Sequence, residues 1–343
     1  MTGSDPAGTS GAASAGTSGA ASAEASAEVP FLDAARLRAL VPMTAAVVCI
    51  EAALSEGSAP GVAPPRTAVL TGAGEVLLMP AATSRFVGVK LVTVAPDNPA
   101  LGLPRVQGIY VLLDGRTLTP VALLDGVALT ALRTPAVSAV ALRHLSASGP
   151  VRVVVIGTGP QGYGHLEGVL AVRQVTHVTV AGRDRAKAER MAMWCRGQGL
   201  PAAAVAGSDL PEGLEGPIRS ADVVVCATSS RWPVFDSRWL AGTATVIAVG
   251  SHEPDAREVD AELVARANVI VETRGSALRE AGDIVLAMRE LPADPGVITS
   301  DLGELVRGLA RLDRTRPSLF KSVGEAWEDL VVAAQAYDQL AGS

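Results

Sequence analysis

Sulfur, histidine and aromatic side chains are all scarce in this chain. Its 343 residues include three cysteines, Cys49, Cys195 and Cys226. They are far apart and odd in number, so they fit neither a disulfide framework nor a zinc site, and a reducing cytoplasm is the compartment such usage suits. The four histidines (His144, His165, His177 and His252) form no ligand cluster, and no metal is expected. Aromatics are 3% of the residues, which leaves Val, Leu and Ala to fill the core. No run of about 18 apolar residues is free of Gly, Pro or charge, so no transmembrane helix and no membrane partner are expected. With a net charge of −6 and no basic run, nucleic acid is not an expected partner either.

What is present is apolar bulk: 48% of the chain is hydrophobic, enough for two domains with proper cores. Residues 1–28 stand apart, because Ala, Gly, Ser and Thr dominate them and Ala7–Ser14 repeats as Ala15–Ser22. Such a segment cannot bury enough apolar surface to offset its ordering entropy, and it lacks the basic start and apolar core of a signal peptide; a disordered tail is expected. Residues 30–56 have helical periodicity with a break at Pro42. Residues 67–70, 76–79 and 86–94 have the pattern of strands, residues 109–113 and 121–124 that of a hairpin around Asp114-Gly115, and Asp125 to about Leu145 that of a helix. Ser148-Gly149-Pro150 is a natural hinge. Beyond it, apolar runs at 151–156, 178–180, 202–205, 222–227, 244–249 and 268–271 alternate with helical stretches, which is the pattern of buried parallel strands. The expected fold is α/β: a Rossmann doubly wound parallel sheet over residues 148–319, plus an α+β domain for substrate binding and dimerisation from residues 29–147 and 320–343. The last helix, 323–340, is expected to cross back to the first domain.

Val151-Arg152-Val153-Val154-Val155-Ile156 runs directly into Gly157-Thr158-Gly159-Pro160-Gln161-Gly162. A β-branched strand feeding G-x-G-x-x-G, with a helix-compatible stretch from Tyr163 to Arg173, is the context a dinucleotide pyrophosphate needs. Gly157 makes the tight turn, Gly159 lets the backbone approach phosphate, and Gly162 packs helix on strand, with Gln161 in the same turn. Nucleotide sites selective for NAD carry an acid at the end of the second strand. Here that strand ends Val180-Ala181-Gly182-Arg183, and an arginine there can pair with a 2′-phosphate. NADP(H) is therefore favoured, while Asp184, one residue on, keeps NAD(H) open. Thr228-Ser229-Ser230, after the fourth strand, is placed to line the nicotinamide side. His165 is expected to pack rather than react.

Several short segments, in order and at fixed spacing, resemble the ornithine cyclodeaminase/mu-crystallin family. They are Pro64-Pro65-Arg66; Gly88-Val89-Lys90 leading to Val94-Ala95-Pro96-Asp97-Asn98-Pro99 and Gly102-Leu103-Pro104; Leu124-Asp125-Gly126 before Leu129–Thr134 and Val137-Ser138-Ala139; Gln161 to His165; and Phe320-Lys321-Ser322-Val323-Gly324 before Glu328-Asp329-Leu330. The resemblance covers about residues 30–340. It implies a substrate bearing an α-amino or α-imino carboxylate. Arg66 and Arg133 match the family's carboxylate-binding arginines, whose planar forks suit that group. Lys90 matches its active-site lysine; desolvated near two arginines, it would have a lowered pKa and could move a proton. The family's cyclodeaminases carry an aspartate where this chain has His252, in Val249-Gly250-Ser251-His252-Glu253-Pro254-Asp255. A neutral imidazole cannot supply that fixed negative charge, but it can serve as a general acid. Lys321 is expected to be structural, and Glu253 and Asp255 to turn toward the loop surface.

These residues favour an NAD(P)H-dependent reductase of small imino acids, of the Δ1-pyrroline-2-carboxylate or ketimine type. Three alternatives stay open: an ornithine or lysine cyclodeaminase using catalytic NAD, an amino-acid dehydrogenase of a natural-product pathway, and a non-catalytic NADP- and ligand-binding protein like mu-crystallin. A homodimer built by the first domain is expected, because its strands would otherwise leave exposed edges.

Overall fold

Two residue patterns build two sheets. The computed structural model describes residues 28–57, 66–291 and 296–342; the expected tail, residues 1–27, and Pro64-Pro65 lie outside the described residues.

The first half begins with β1 (Phe31–Leu32), α1 (Ala34–Leu40) and α2 (Met43–Ser55), followed by β2 (Thr67–Thr71), β3 (Gly74–Ala82), β4 (Phe86–Val94), β5 (Val106–Asp114), β6 (Pro120–Asp125) and α3 (Gly126–Leu145). The strands form one sheet in the order β1-β6-β5-β4-β3-β2, antiparallel except that β1 lies parallel to β6. Alternation along β4 divides its side chains: Phe86, Gly88 and Lys90 face inward and are buried, while Val87, Val89 and Leu91 face outward and are half-buried. The helical periodicity over 30–56 holds only from residue 34. Phe31 and Leu32 pair with β6 instead, and the Asp33 carboxylate then starts α1 by accepting from the Arg36 amide at 2.8 Å. In the same way Asp125 accepts from the Val127 and Ala128 amides, both at 2.9 Å, and opens α3.

The second half contains β7 (Val151–Ile156), α4 (Pro160–Val172), β8 (Val175–Gly182), α5 (Arg185–Gly197), β9 (Ala202–Ala206), α6 (Glu215–Arg219), β10 (Val223–Cys226) and β11 (Thr245–Ala248). It continues with α7 (Ala261–Arg266), β12 (Asn268–Val271), α8 (Arg274–Glu280), α9 (Gly282–Glu290), β13 (Ser300–Asp301), α10 (Leu302–Val306), β14 (Ser318–Lys321) and α11 (Ala326–Ala341). Its eight strands are all parallel, in the order β13-β12-β14-β11-β10-β7-β8-β9. The strand order reverses direction between β7 and β10, so the crevice above their carboxyl ends is the topological switch point where such sheets hold ligands.

Two expectations need correction. The boundary at residue 320 does not hold, because Phe320 and Lys321 belong to β14, paired on both sides inside the parallel sheet with Ile247 and Ala248 and with Ile270 and Val271. The sequence pattern did not mark this strand because Ser318-Leu319-Phe320-Lys321 has only two apolar residues and ends in a lysine, not the continuous apolar run of its neighbours. The last helix begins at Ala326 rather than 323, since Gly324 takes a left-handed backbone, φ +82°, that breaks the helix before it starts.

The almost fully buried α3 joins the halves, lying against α2, α4 and α11. Its approach to α4 is close: a Cβ on Gly164 would come within 2.8 Å of the Pro135 ring, and one on Gly168 within 2.8 Å of the Pro135 carbonyl. No single helix among the described residues is long and apolar enough to cross a membrane.

Candidate active site

The glycine-rich turn divides its work among three positions. Gly157 has φ +123°, and a Cβ there would collide with the Ala227 carbonyl, so this position makes the turn. A Cβ on Gly162 would collide with the Gly157 carbonyl, which is the close packing of helix on strand. Gly159 has open space where a Cβ would be. It also precedes α4 without a side-chain cap, so the opening of that helix is left for an anion. The turn forms one wall of a cleft of about 850 Å³ that Gly182, Arg183, Asp184, Lys187, Thr228, Ser229 and Ser230 complete. These features fit a dinucleotide: open backbone for the pyrophosphate, and cations where the adenosine end would lie. The Asp184 carboxylate is already used, accepting from the Lys187 amide at 3.1 Å as the cap of α5. Arg183 is exposed and has no carboxylate partner among the described residues. Gln161 lies in the first turn of α4 with its Oε1 buried and unpartnered, away from the cleft lining.

Across the carboxyl edge of the parallel sheet, the first sheet supplies Lys90. Its ammonium, 2% exposed, lies 2.7 Å from Asp329 Oδ2 and donates to Thr130 Oγ1 at 3.2 Å. Burial, reinforced by the neighbouring Arg133 charge, lowers its pKa to about 8, with Asp329 working the other way. Arg133, also buried, donates from Nη1 to Glu328 Oε2 at 2.7 Å and from Nε to Asp329 Oδ1 at 3.2 Å. Burial opposes its charge, but Asp329, Glu328 and Glu272 outweigh it and keep the pKa above its ordinary value. The Arg133 guanidinium presses on Gly324, where a Cβ would sit 2.9 Å from Nη1 and Nη2. Arg66 reaches the same turn from the other side, donating to the Val323 and Gly324 carbonyls at 3.1 and 3.3 Å while pairing with Glu280 at 2.8 Å. The structure thus brings Arg66 and Arg133 to one turn, Val323-Gly324, which follows β14 on the edge that also carries the nucleotide turn, and Lys90 joins Arg133 through their shared partner Asp329.

His252 follows β11 on that edge and is exposed. Surrounding protein lowers its pKa, and the Arg66 charge adds to the effect. Glu253 and Asp255 turn outward to pair with Arg231, as expected. Lys321 is structural: it is fully buried, pairs with Asp283 at 2.9 Å and donates to the Ser251 carbonyl at 2.6 Å. Asp283 in turn accepts from the Glu258 and Val259 amides. Glu258 accepts from the Thr228 amide and hydroxyl and from the Gly250 amide, each at 2.7 Å. This chain of bonds fixes the loops after β10 and β11, and with them Thr228 and His252. His165 is a packing residue. Its Nδ1 donates to the Gln161 carbonyl at 2.7 Å, so Nε2 accepts from Ser138 Oγ at 3.0 Å, and burial lowers its pKa to about 4.

Thr130, Glu272, Glu328 and Asp329 were not singled out from the sequence for roles. The signal for the last two was available: adjacent acids in the otherwise apolar first turns of α11 are expensive to bury without cations to meet them. Glu272 gives a weaker sign, an acid just past the buried strand β12. No group of three or more His, Cys, Asp or Glu among the described residues could hold a metal ion.

Comparison with known proteins agrees with this geometry. The family model described as ornithine cyclodeaminase/mu-crystallin family matches residues 29–343. A Δ1-pyrroline-2-carboxylate reductase from Bacillus cereus is 34% identical over 311 residues, covering 88% of this chain and 94% of its own. The ketimine reductase mu-crystallin of Mus musculus is 33% identical over 297 residues, covering 84% and 90%. Among solved structures, the Thermococcus litoralis Δ1-pyrroline-2-carboxylate reductase in complex with NADH and L-proline superposes with a TM-score of 0.83 at 30% identity, covering 92% of this chain and 98% of that one. The chain belongs to the ornithine cyclodeaminase/mu-crystallin family.

Proposed function

We propose that this protein is an NAD(P)H-dependent reductase of small cyclic imino acids such as Δ1-pyrroline-2-carboxylate. The observation that carries this reading is the meeting of Arg66 and Arg133 at the Val323-Gly324 turn, with Lys90 tied to Arg133 through their shared partner Asp329, at the sheet edge that also holds Gly157 and Gly159. Three cations at one spot suit a carboxylate, and the two arginines offer forked donors to it. Relatives named for this reaction, one of them solved with NADH and L-proline, support the same substrate class. When bound, the nicotinamide supplies the hydride that reduces the imine carbon. The protein's own part is to fix the carboxylate and to place a proton at the nitrogen. Lys90, with a pKa of about 8, is charged at neutral pH and is the better donor. His252, lowered from its usual pKa by the surrounding protein and by the Arg66 charge, is mostly neutral there and is the weaker donor.

The cofactor preferred is NADP(H). Arg183 and Lys187 stand free on the cleft wall, and Asp184 is committed to its helix cap instead of a ribose hydroxyl. The protein is a homodimer joined through the six-stranded sheet, whose outer face (Val87, Val89, Leu91, Ile109, Val111) carries no helix among the described residues and whose edge strand β2 leaves Leu70 83% exposed.

The test is oxidation of NADPH and NADH in the presence of Δ1-pyrroline-2-carboxylate and Δ1-piperideine-2-carboxylate. Turnover is expected with at least one of them and faster with NADPH. Tight NADPH binding with no turnover of any cyclic imino acid overturns the reading.

A further inference from the structure

Behind the three cations lies a pair of acids that direct substrate contact does not explain. Glu272, just past β12, accepts from Ser322 Oγ at 2.5 Å and from the Val323 and Gly324 amides at 2.9 and 2.8 Å. Glu328, on α11, is fully buried within hydrogen-bonding reach of Glu272. One of its oxygens, Oε2, accepts from Arg133 at 2.7 Å. The other, Oε1, is buried with no donor at all. A carboxylate oxygen left bare in the interior, next to an acid already supplied with three donors, is a costly arrangement if both acids are ionised. One proton between them removes the cost, because Oε1 then becomes a donor and Glu272 its acceptor.

We infer that Glu328 is a positioning acid: it holds a proton in a hydrogen bond to Glu272, and through its other oxygen it aims the Arg133 guanidinium at the substrate carboxylate. The charges around it agree. Arg133 on α3 and Lys90 on β4 are balanced by Asp329 on α11 and Glu272 after β12, so an ionised Glu328 would leave the buried cluster negative, facing an incoming carboxylate. Glu325, ahead of α11, adds more negative potential while accepting from Thr273 Oγ1 at 2.9 Å. Burial, reinforced by Glu272, pushes Glu328 well above the ordinary carboxylate range, with Arg133 working in the opposite direction. The bond also ties β12, the Val323-Gly324 turn and α11 into one unit, so both walls that Arg66 and Arg133 lean on are set by it.

The role of the acid rests on the imino-acid reading above, and two measurements separate them. The infrared difference spectrum of wild type minus E328Q is expected to contain the carbonyl band of a protonated carboxylic acid. Absence of that band overturns the inference whatever the enzyme turns over. In kinetics, E328A is expected to raise KM for the imino acid by about tenfold, the worth of one hydrogen bond to a charged group, with a smaller change in kcat. E328Q, whose amide donates to residue 272 and whose carbonyl still accepts from Arg133, is expected to recover most of that loss. If E328Q is as impaired as E328A, or more so, the negative charge is what Arg133 requires and the inference fails. If wild type reduces no imino acid at all, it is the proposed function that fails, and the infrared result still decides where the proton is.

Discussion

A buried lysine with a pKa near 8 has two consequences at the residue scale, and they run in opposite directions. Lys90 is lowered from its ordinary 10.5 chiefly by burial, so between about pH 8 and 10 the unfolded chain binds the proton that the folded protein has released. Its contribution to folding stability therefore rises with pH across that window, as urea denaturation at several pH values would show, and K90M should lose the slope. Carboxylate binding behaves the other way, because it needs the charge. The free enzyme's kcat/KM for an imino acid is expected to fall as pH rises through about 8. Arg133 makes a different point. R133K keeps the charge but cannot contact Glu328 and Asp329 with a planar fork, and KM is expected to rise by about tenfold to a hundredfold, from the ~1.5–3 kcal/mol of a charged hydrogen bond. At the adenosine end, R183A is expected to weaken NADPH binding by about tenfold while leaving NADH nearly unchanged, as titration of each nucleotide would reveal. Lys90, Arg66 and Arg133 could be picked out from their motifs because each stands in a short, ordered segment. Asp329, the counter-ion that Lys90 and Arg133 share, and Glu328, which accepts from Arg133, come from a helix some two hundred residues away, and only folding brings them together.

Two glycines in one turn predict opposite outcomes at the scale of elements. G157A places a Cβ against the Ala227 carbonyl in a backbone that L-residues rarely adopt, so it should lower the melting temperature and abolish nucleotide binding together. G159A meets open space. It should leave the melting temperature almost unchanged yet weaken NADPH binding by about tenfold or more, as the methyl group occupies the approach of the pyrophosphate. Thermal unfolding and fluorescence titration on the pair separate fold from site. The G-x-G-x-x-G motif and its strand were plain in the sequence since the chemistry is local: six residues set the turn and the helix start. Boundaries were harder where a distant partner decides them. The strand at 31–32 exists because β6 is there to pair with it, and the start of α11 is delayed to residue 326 because Gly324 turns left-handed, with its amide and that of Val323 held by the distant Glu272.

At the scale of the whole molecule, the outer face of the six-stranded sheet has no covering helix among the described residues. V89D is expected to convert the proposed dimer to a monomer in light scattering, because a carboxylate there would be buried without a partner against the second copy. A wild-type protein that is already monomeric would contradict the dimer. By itself the sequence determined the doubly wound half and the glycine-rich nucleotide turn, and its resemblance to the family marked Arg66, Lys90 and Arg133 as the proposed carboxylate-side cations. The first two follow from local pattern: short apolar runs alternating with helical stretches suit buried parallel strands, and glycine spacing dictates a turn. Only the tertiary structure decided that β14 closes the parallel sheet instead of beginning the other domain, that His252 is exposed while Lys90 is sealed in, and that Glu272 and Glu328 meet behind Arg133. The physical reason is the same in each case. Burial and the charge of distant neighbours set a side chain's protonation and reach, and neither can be read until the chain has folded back on itself.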